Sequence, residues 1–338
     1  MTFYNVVVIG TGNIAKTHLK ILKKIKRFNV VGVYGRDYLR AKEISFQFDI
    51  KAFRDFNDVL TDDNIQVVDI ATSSDLHAEY GIKAAQHYKN LIVEKPIDFS
   101  ISQAEKLVKT CKQNHCLLGI IFQHRFDEIT HILKKLIDNE IFGKLISGKI
   151  EHSPKRNIHY YLNKEGGPNS KCKGVLINNG IHYIDLSLSL FGEVAGFKGI
   201  IKQTRQEINI DDYANIFMEF KSGFLLNLEF KTNLKKSLPT IIEINGENGS
   251  IIFEGNSIRF ISLDIPFKSI YTSKSFLKLY LIKKFKMFNE FRAGSHYDVF
   301  CNYLNALEKK EKICVDGNEG LASLAIVDKI YMQNYGIG

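Results

Sequence analysis

No stretch of this sequence approaches the roughly 18 consecutive apolar residues that a membrane-spanning helix needs, so no membrane span is expected. Prolines number 5 and glycines 24 in 338 residues, too few for a collagen-like or low-complexity chain. The five cysteines (Cys111, Cys116, Cys172, Cys301 and Cys314) are odd in number and include no C-x-x-C pair. That argues against a disulfide framework and against a cysteine-based metal site, and it fits a reducing cytoplasm. The opening MTFYNVVVIG has no basic residues ahead of its apolar run and no small-residue cleavage end. It is read as a strand and not as a secretory signal. Acidic residues are outnumbered, 37 against 46 lysines and arginines, giving a formal net charge of +9. No recognised nucleic-acid motif accompanies that charge, so nucleic acid is not an expected partner. Most of the lysines are read as a solvated coat.

The first third alternates in type. Short β-branched runs at Val6–Ile9, Val30–Tyr34, Val67–Ala71, Leu91–Val93 and Leu117–Ile121 are separated by helical patterns. Uninterrupted runs between amphipathic helices mean strands buried on both faces, as in a parallel sheet with crossover helices. Right-handed crossovers then give a doubly wound α/β domain over residues 1–121. After Ile121 the runs alternate and are closed by glycine or asparagine turns, as in Lys221-Ser222-Gly223 and Gly246-Glu247-Asn248-Gly249. An α+β domain with a large open antiparallel sheet is expected over residues 122–338. Its exposed face calls for a cover, and a homodimer or homotetramer is expected to supply it.

Gly10-Thr11-Gly12-Asn13-Ile14-Ala15 follows the first strand and opens the first helix. In this G-x-G-x-x-A, Gly10 permits a tight turn, Gly12 lets backbone approach a pyrophosphate, and Ala15 allows helix and strand to pack closely. A dinucleotide site is expected there. The second strand runs into Gly35-Arg36-Asp37. An acid at the strand tip would hold the ribose 2′-OH of NAD; here the position is Gly35, and the Arg36 guanidinium can pair with a 2′-phosphate. NADP is the expected cofactor, with NAD the alternative because a one-residue shift of the strand end would bring Asp37 into the acid position. Glu94-Lys95-Pro96 lies at the C-terminal end of a buried strand, the edge where open α/β sheets bind ligands. Lys95 can there donate to a substrate oxygen.

Taken in order, G-x-G-x-x-A, strand–E-K-P and the G-x-H-x-x-D helix of Gly180–Asp185 resemble the glucose–fructose oxidoreductase, inositol dehydrogenase and rhizopine-catabolism (Gfo/Idh/MocA) family over nearly the whole chain. Val68-Asp69-Ile70-Ala71-Thr72 followed by His77 is similar to the family's segment near the nicotinamide ribose, with Ser73 where proline is usual. Phe122-Gln123-His124-Arg125-Phe126 is similar to its Q-N-R-F segment, with His124 in place of asparagine. The resemblance implies hydride transfer between a nicotinamide and a sugar or polyol carbon, with Lys95 and His182 serving the reacting hydroxyl. It places Thr72, His77, Glu94, Lys95 and Arg125 near the cofactor beside Gly10–Ala15, Gly35 and Arg36. Lys95, Asn178, His182 and Asp185 are the expected substrate contacts. His182 and Asp185 are three apart, so the carboxylate can share a face with the ring and orient it.

Asn178 stands where the family often has aspartate, and an amide cannot take a proton. Acid–base work then rests on Lys95 and His182. The run Gly174–His182 is similar to that of members acting on C3 of nucleotide-linked sugars, which makes a UDP-type sugar the leading substrate. A free polyol or cyclitol is the enzyme alternative, and a non-catalytic dinucleotide-binding sensor or assembly subunit the alternative of another class. The basic loop Lys164–Lys173 suits a substrate diphosphate or carboxylate, or is a solvated insertion. Gly294-Ser295-His296-Tyr297 is a further candidate for substrate contact. The basic, aromatic segment Phe267–Arg292 suits a membrane surface or a solvated helix.

Overall fold

The computed structural model describes residues 3–163, 174–263 and 296–335. The loop Lys164–Lys173, the segment Phe267–Arg292, and Gly294 and Ser295 lie outside them. The chain divides into two compact units: Met1–Gln123 with Ser295–Ala325, and His124–Gly294 with Ile326–Gly338.

The first unit runs β1 (Tyr4–Ile9), α1 (Asn13–Leu22), β2 (Phe28–Tyr34), α2 (Tyr38–Phe48), β3 (Lys51–Phe53), α3 (Phe56–Thr61), β4 (Val67–Ile70), α4 (His77–Gln86), β5 (Asn90–Glu94), α5 (Ile101–Gln113) and β6 (Leu118–Ile121). The six strands pair in parallel in the order β3-β2-β1-β4-β5-β6. The chain reverses direction across the sheet between β1 and β4, and the crevice at their C-terminal ends is where such sheets bind ligands. Val6 to Ile9, Val67, Val68, Ile70 and Leu91 to Val93 are all buried, as strands covered on both faces must be. Short β3 and α3 carry too little periodicity to stand out in the sequence.

The sequence pattern assigns all of residues 122–338 to the second domain, yet Ser295–Ala325 groups with the first unit. The reason is packing within that unit. Helix α9 (His296–Leu307) lies against α1. Its Tyr303 ring occupies the space beside Gly119, where an added Cβ would meet ring carbon Cδ2 at 2.7 Å. Val315 accepts the Ile120 N–H at 3.1 Å, and Asp316 bridges Gly119 in antiparallel sense beside β6. Nothing in the local pattern of these helices reveals which sheet they join.

The second unit has a seven-stranded sheet ordered β13-β12-β11-β7-β10-β9-β8. Its strands are β7 (Leu145–Ser153), β8 (Val194–Lys202), β9 (Tyr213–Phe220), β10 (Leu225–Lys231), β11 (Leu238–Gly246), β12 (Gly249–Glu254) and β13 (Ser257–Leu263). All neighbours are antiparallel except β7 and β10, which run parallel, so the sheet is mixed and not purely antiparallel. Hairpin turns mark only strands adjacent in the chain; the β7–β10 pairing joins residues some 80 positions apart and leaves no local signal. Ala214, Ile216, Met218, Phe220, Leu226, Leu228 and Phe230 line the covered face. The opposite face exposes Ile200, Phe217 and Leu225 among ion pairs such as Lys149–Glu151 and Lys231–Glu229. Helices α6 (Glu128–Asp138), α7 (Ile158–Asn163) and α8 (Ile181–Phe191) complete this stretch, and α10 (Gly317–Tyr335) closes the described chain. Among the described residues no helix is long and apolar enough to cross a membrane.

Candidate active site

The dinucleotide loop is built by what is missing from it. Gly10 has φ +136°, and a Cβ there would lie 2.2 Å from the Ala71 carbonyl oxygen at the end of β4. Only glycine lets β1 and β4 close this tightly at the reversal point. Gly12 caps α1 without a side-chain hydrogen bond, has no heavy atom within 4 Å of its would-be Cβ, and is followed by no acid in the first helical turn. The backbone N–H groups of that turn are therefore offered to an anion. Ala15 is fully buried and Thr11 abuts Gly35, whose Cβ would meet the Thr11 methyl at 2.5 Å. These residues fit a pyrophosphate.

β2 ends at Tyr34, which leaves Gly35 at its tip with Arg36 exposed beside it. Asp37 is the N-cap of α2: it accepts the Arg40 N–H at 3.2 Å and pairs with the Arg40 guanidinium at 3.3 Å. Its carboxylate is committed to the helix start.

At the end of β4, the Thr72 hydroxyl donates to the Ser73 carbonyl at 3.1 Å. His77 is buried, with Nδ1 2.7 Å from the Pro96 carbonyl oxygen and Nε2 3.2 Å from that of Thr72. It ties the ends of β4 and β5 together. Asp98 accepts the Ala78 N–H at 3.0 Å and so caps α4.

Glu94 and Lys95 sit at the tip of β5, ahead of a cis peptide to Pro96. Glu94 is buried, and its Oε2 accepts the Lys95 backbone N–H at 3.0 Å. Its Oε1 lies 3.1 Å from His18 Nε2 and 3.3 Å from His296 Nε2. On the far side of His18, Nδ1 lies 2.9 and 3.2 Å from the two oxygens of buried Asp69. Burial alone would lower the His18 pKa; the charge and hydrogen bond of Asp69, then those of Glu94, outweigh it and push it up to about 10. Burial would raise Glu94, but hydrogen bonds from the two imidazoles hold it well below the usual carboxylate range. Lys95 is half-buried; burial lowers its pKa and the charge of Glu94 opposes that. The sequence marks Glu94 and Lys95 but not this network. His18 falls on the apolar face of its helix, Asp69 inside a buried strand, and His296 more than 220 positions from either in the chain.

In the second unit, α8 is preceded by a π-helical turn, Leu176–Gly180. Such turns are frequent at functional sites. The turn is anchored by buried Asp211, which accepts the Gly174 and Leu176 N–H groups at 3.0 and 2.9 Å and the Tyr331 hydroxyl at 2.8 Å. Asn178, half-buried, and His182, buried, are four apart along this turn and the first turn of α8. The His182 ring meets the His124 ring edge-on at 5.0 Å. His124 stacks on Tyr183 at 5.3 Å, and its Nδ1 is 2.6 Å from Asp127. The Tyr183 hydroxyl reaches His152 Nδ1 at 3.0 Å, and the Thr240 hydroxyl reaches the same atom at 2.9 Å. Burial, then the charges of His124 and Arg156, lower the His152 pKa to about 4. Nothing in the sequence pairs His152 with Tyr183, because they lie 31 positions apart, on β7 and α8, and meet only in the fold.

Arg125 and Asp185 are both buried and form a two-pronged pair, Nε–Oδ2 2.8 Å and Nη2–Oδ1 2.7 Å. Sequence resemblance assigns Arg125 to the cofactor, and spacing assigns Asp185 to the His182 ring. In the fold both oxygens of Asp185 are engaged by the Arg125 fork, which ties the His124–Phe126 segment to α8. A planar guanidinium matches a carboxylate in this way.

Two family models match the chain. One, for the NAD-binding Rossmann fold of the GFO_IDH_MocA oxidoreductase family, covers residues 4–122. The other, for that family's C-terminal alpha/beta domain, covers residues 134–334. Among curated relatives, glucose-6-phosphate 3-dehydrogenase of Bacillus subtilis is 26% identical over 65% of this chain and 65% of its own length. Inositol 2-dehydrogenase of Rhizobium meliloti is 23% identical over 95% of this chain and 94% of its own. Among solved structures, the WlbA dehydrogenase of Bordetella pertussis in complex with NADH and UDP-GlcNAcA superposes with a TM-score of 0.86. It is 22% identical and covers 99% of this chain and 97% of that one, a likeness of fold.

Proposed function

The chain belongs to the GFO_IDH_MocA oxidoreductase family with its NAD-binding Rossmann fold, and from that premise we propose that it moves hydride between a nicotinamide dinucleotide and C3 of a nucleotide-activated, UDP-type sugar. The observation that carries the reading is Lys95, held by its backbone to buried Glu94 at the tip of β5 in the strand order that defines a dinucleotide crevice. The fold shared along 99% of the chain with a dehydrogenase solved with NADH and UDP-GlcNAcA supports the substrate class. The alignment of an inositol 2-dehydrogenase over 95% of the chain favours a free cyclitol as the second reading.

In this mechanism Gly10 to Ala15 hold the pyrophosphate, and Thr72, His77 and Glu94 shape the strand ends beyond it. A nicotinamide dinucleotide held there would supply the hydride-transfer chemistry. Lys95 holds the reacting hydroxyl and His182 takes up or returns its proton, a role suited to a side chain whose ordinary pKa lies near neutrality. Asn178, one helical turn before His182, donates and accepts hydrogen bonds to orient the sugar. Asp185 supports the site through Arg125. NADP is the cofactor we infer: Gly35 presents no carboxylate, Arg36 is exposed beside it, and Asp37 is occupied in capping α2. NAD is the alternative. A reducing cytoplasm is the compartment we infer.

Incubation with a panel of UDP-, GDP- and dTDP-sugars and free polyols, followed at the nicotinamide absorbance, tests the reading. Turnover of UDP-sugars above polyols is expected. Equal turnover of myo-inositol would favour the second reading, and no hydride transfer despite tight dinucleotide binding would favour a sensor. The face carrying Ile200, Phe217 and Leu225 suits self-association, so light scattering is expected to give at least twice the 38.6 kDa chain mass. A strict monomer would contradict that.

A further inference from the structure

Four ionisable side chains converge behind Lys95 from four elements: His18 on α1, Asp69 on β4, Glu94 on β5 and His296 on α9. Three of them resemble a metal-ligand set, since ligand atoms of His18, Glu94 and His296 lie within 4.8 Å of one another. The hydrogen bonds argue otherwise. Both ring nitrogens of His18 face carboxylate oxygens, so both must donate, and an imidazolium has no lone pair for a cation. The cluster is a salt bridge of carboxylates and imidazoles.

Buried ion pairs contribute little net stability compared with apolar packing. What this one does well is fix a carboxylate. One oxygen of Glu94 is held by two imidazoles from two helices, and the other accepts the N–H of the next residue, Lys95. The backbone of Lys95 is thus fixed to a side chain that cannot swing. The Glu94 charge also opposes the loss of charge that burial imposes on the Lys95 amine.

We propose that His18 and His296 are positioning residues for Lys95, acting through the Glu94 carboxylate, with Asp69 orienting the His18 ring. The proposal rests on the assignment of Lys95 to the reacting hydroxyl. His296 belongs to the Gly294–Tyr297 motif, a candidate for substrate contact by sequence; its ring nitrogen is turned to Glu94 instead.

The test compares His296→Ala, His296→Gln, His18→Gln and Lys95→Ala in the enzyme with bound dinucleotide. The substrate is UDP-N-acetylglucosaminuronic acid, or myo-inositol if that is what the wild type turns over. His296 has an 18% exposed side chain, so its variants are expected to fold even where His18→Gln does not. His296→Ala should lower kcat about 10- to 100-fold, as misplacing a reacting group does. KM and the dinucleotide Kd should stay within about twofold, as for a group that touches neither ligand. His296→Gln keeps an N–H donor and should recover most of the loss. A role in packing alone would lower the melting temperature and leave kcat per folded enzyme unchanged, and that outcome overturns the proposal. So does one equivalent of zinc retained by the wild type and lost from His296→Ala. If Lys95→Ala keeps its turnover, the active-site assignment falls and the proposal with it. If Lys95→Ala is inactive while His296→Ala is not, the positioning role alone is wrong.

Discussion

His18 and His152 belong to different units of the same chain and are driven in opposite directions. His18 is buried between the carboxylates of Asp69 and Glu94, which push its pKa up to about 10. His152 sits among the hydroxyls of Tyr183 and Thr240, with His124 and Arg156 near, and burial takes it down to about 4. Near neutral pH one ring is a cation and the other neutral. Neighbours decide this, not the residue type. The unit that receives the dinucleotide uses His18 and His296 to hold the Glu94 carboxylate in place. The unit that carries His182 sets the His124 ring edge-on against it, and His124 in turn stacks on Tyr183.

The widest break in that comparison is expected from removing the groups assigned to chemistry. Lys95→Ala and His182→Ala should each lower kcat about 10²–10⁴-fold. Dinucleotide titration should find the Kd nearly unchanged, and Asn178→Ala should mainly raise KM.

The next effect is on stability. His18→Leu leaves Asp69 and Glu94 buried without the cation between them. Breaking a buried pair in this way costs about 3–5 kcal/mol. Denaturant unfolding of the first unit should show the loss, and a variant as stable as the wild type would mean the ring carries no charge.

A smaller effect sharpens the cofactor reading. Arg36→Ala should weaken NADP binding about tenfold, the scale of one charge-assisted hydrogen bond, and leave NAD nearly untouched. Tighter binding of NAD than NADP by the wild type would contradict it.

The subtlest test is of pH, where the two histidines should oppose each other. The folded pKa of His18 is raised, so its contribution to stability is complete below its ordinary pKa and is lost as pH rises through about 10. The folded pKa of His152 is lowered. Between about 4 and its ordinary pKa the unfolded chain binds the extra proton, so that contribution is lost as pH falls through this window. Thermal melts of His18→Gln should be flatter on the alkaline side than those of the wild type, and melts of His152→Gln flatter on the acid side. Parallel curves for variant and wild type would refute either assignment.

The sequence shows what is contiguous. Gly10–Ala15, the β5 tip at Glu94-Lys95 and the turn around Asn178 and His182 are each single stretches whose residue types fit one job. Strands buried on both faces are equally plain, because a β-branched run without polar alternation has no face to offer to water. What needs the folded chain stays hidden. His18 looks like one more residue of an inward helix face, and the fork between Arg125 and Asp185 spans 60 positions. The parallel pairing of β7 with β10 is set by sheet order and not by any turn.

Residues 295–325 complete the first unit, and this has a bearing on how the protein is born. On the ribosome the Rossmann strands emerge within the first 121 residues. Domains ordinarily fold as units while the remainder is still being made, at about 5–20 residues per second. Here Tyr303, the lining beside Gly119, and His296, the partner of Glu94, are translated only after β7 to β13. The nascent sheet waits through the synthesis of the whole second sheet with its β6 edge and the Glu94 carboxylate incompletely matched. A stop codon placed after Gln123 would release a fragment that has its glycine loop and its lysine but not its final helix.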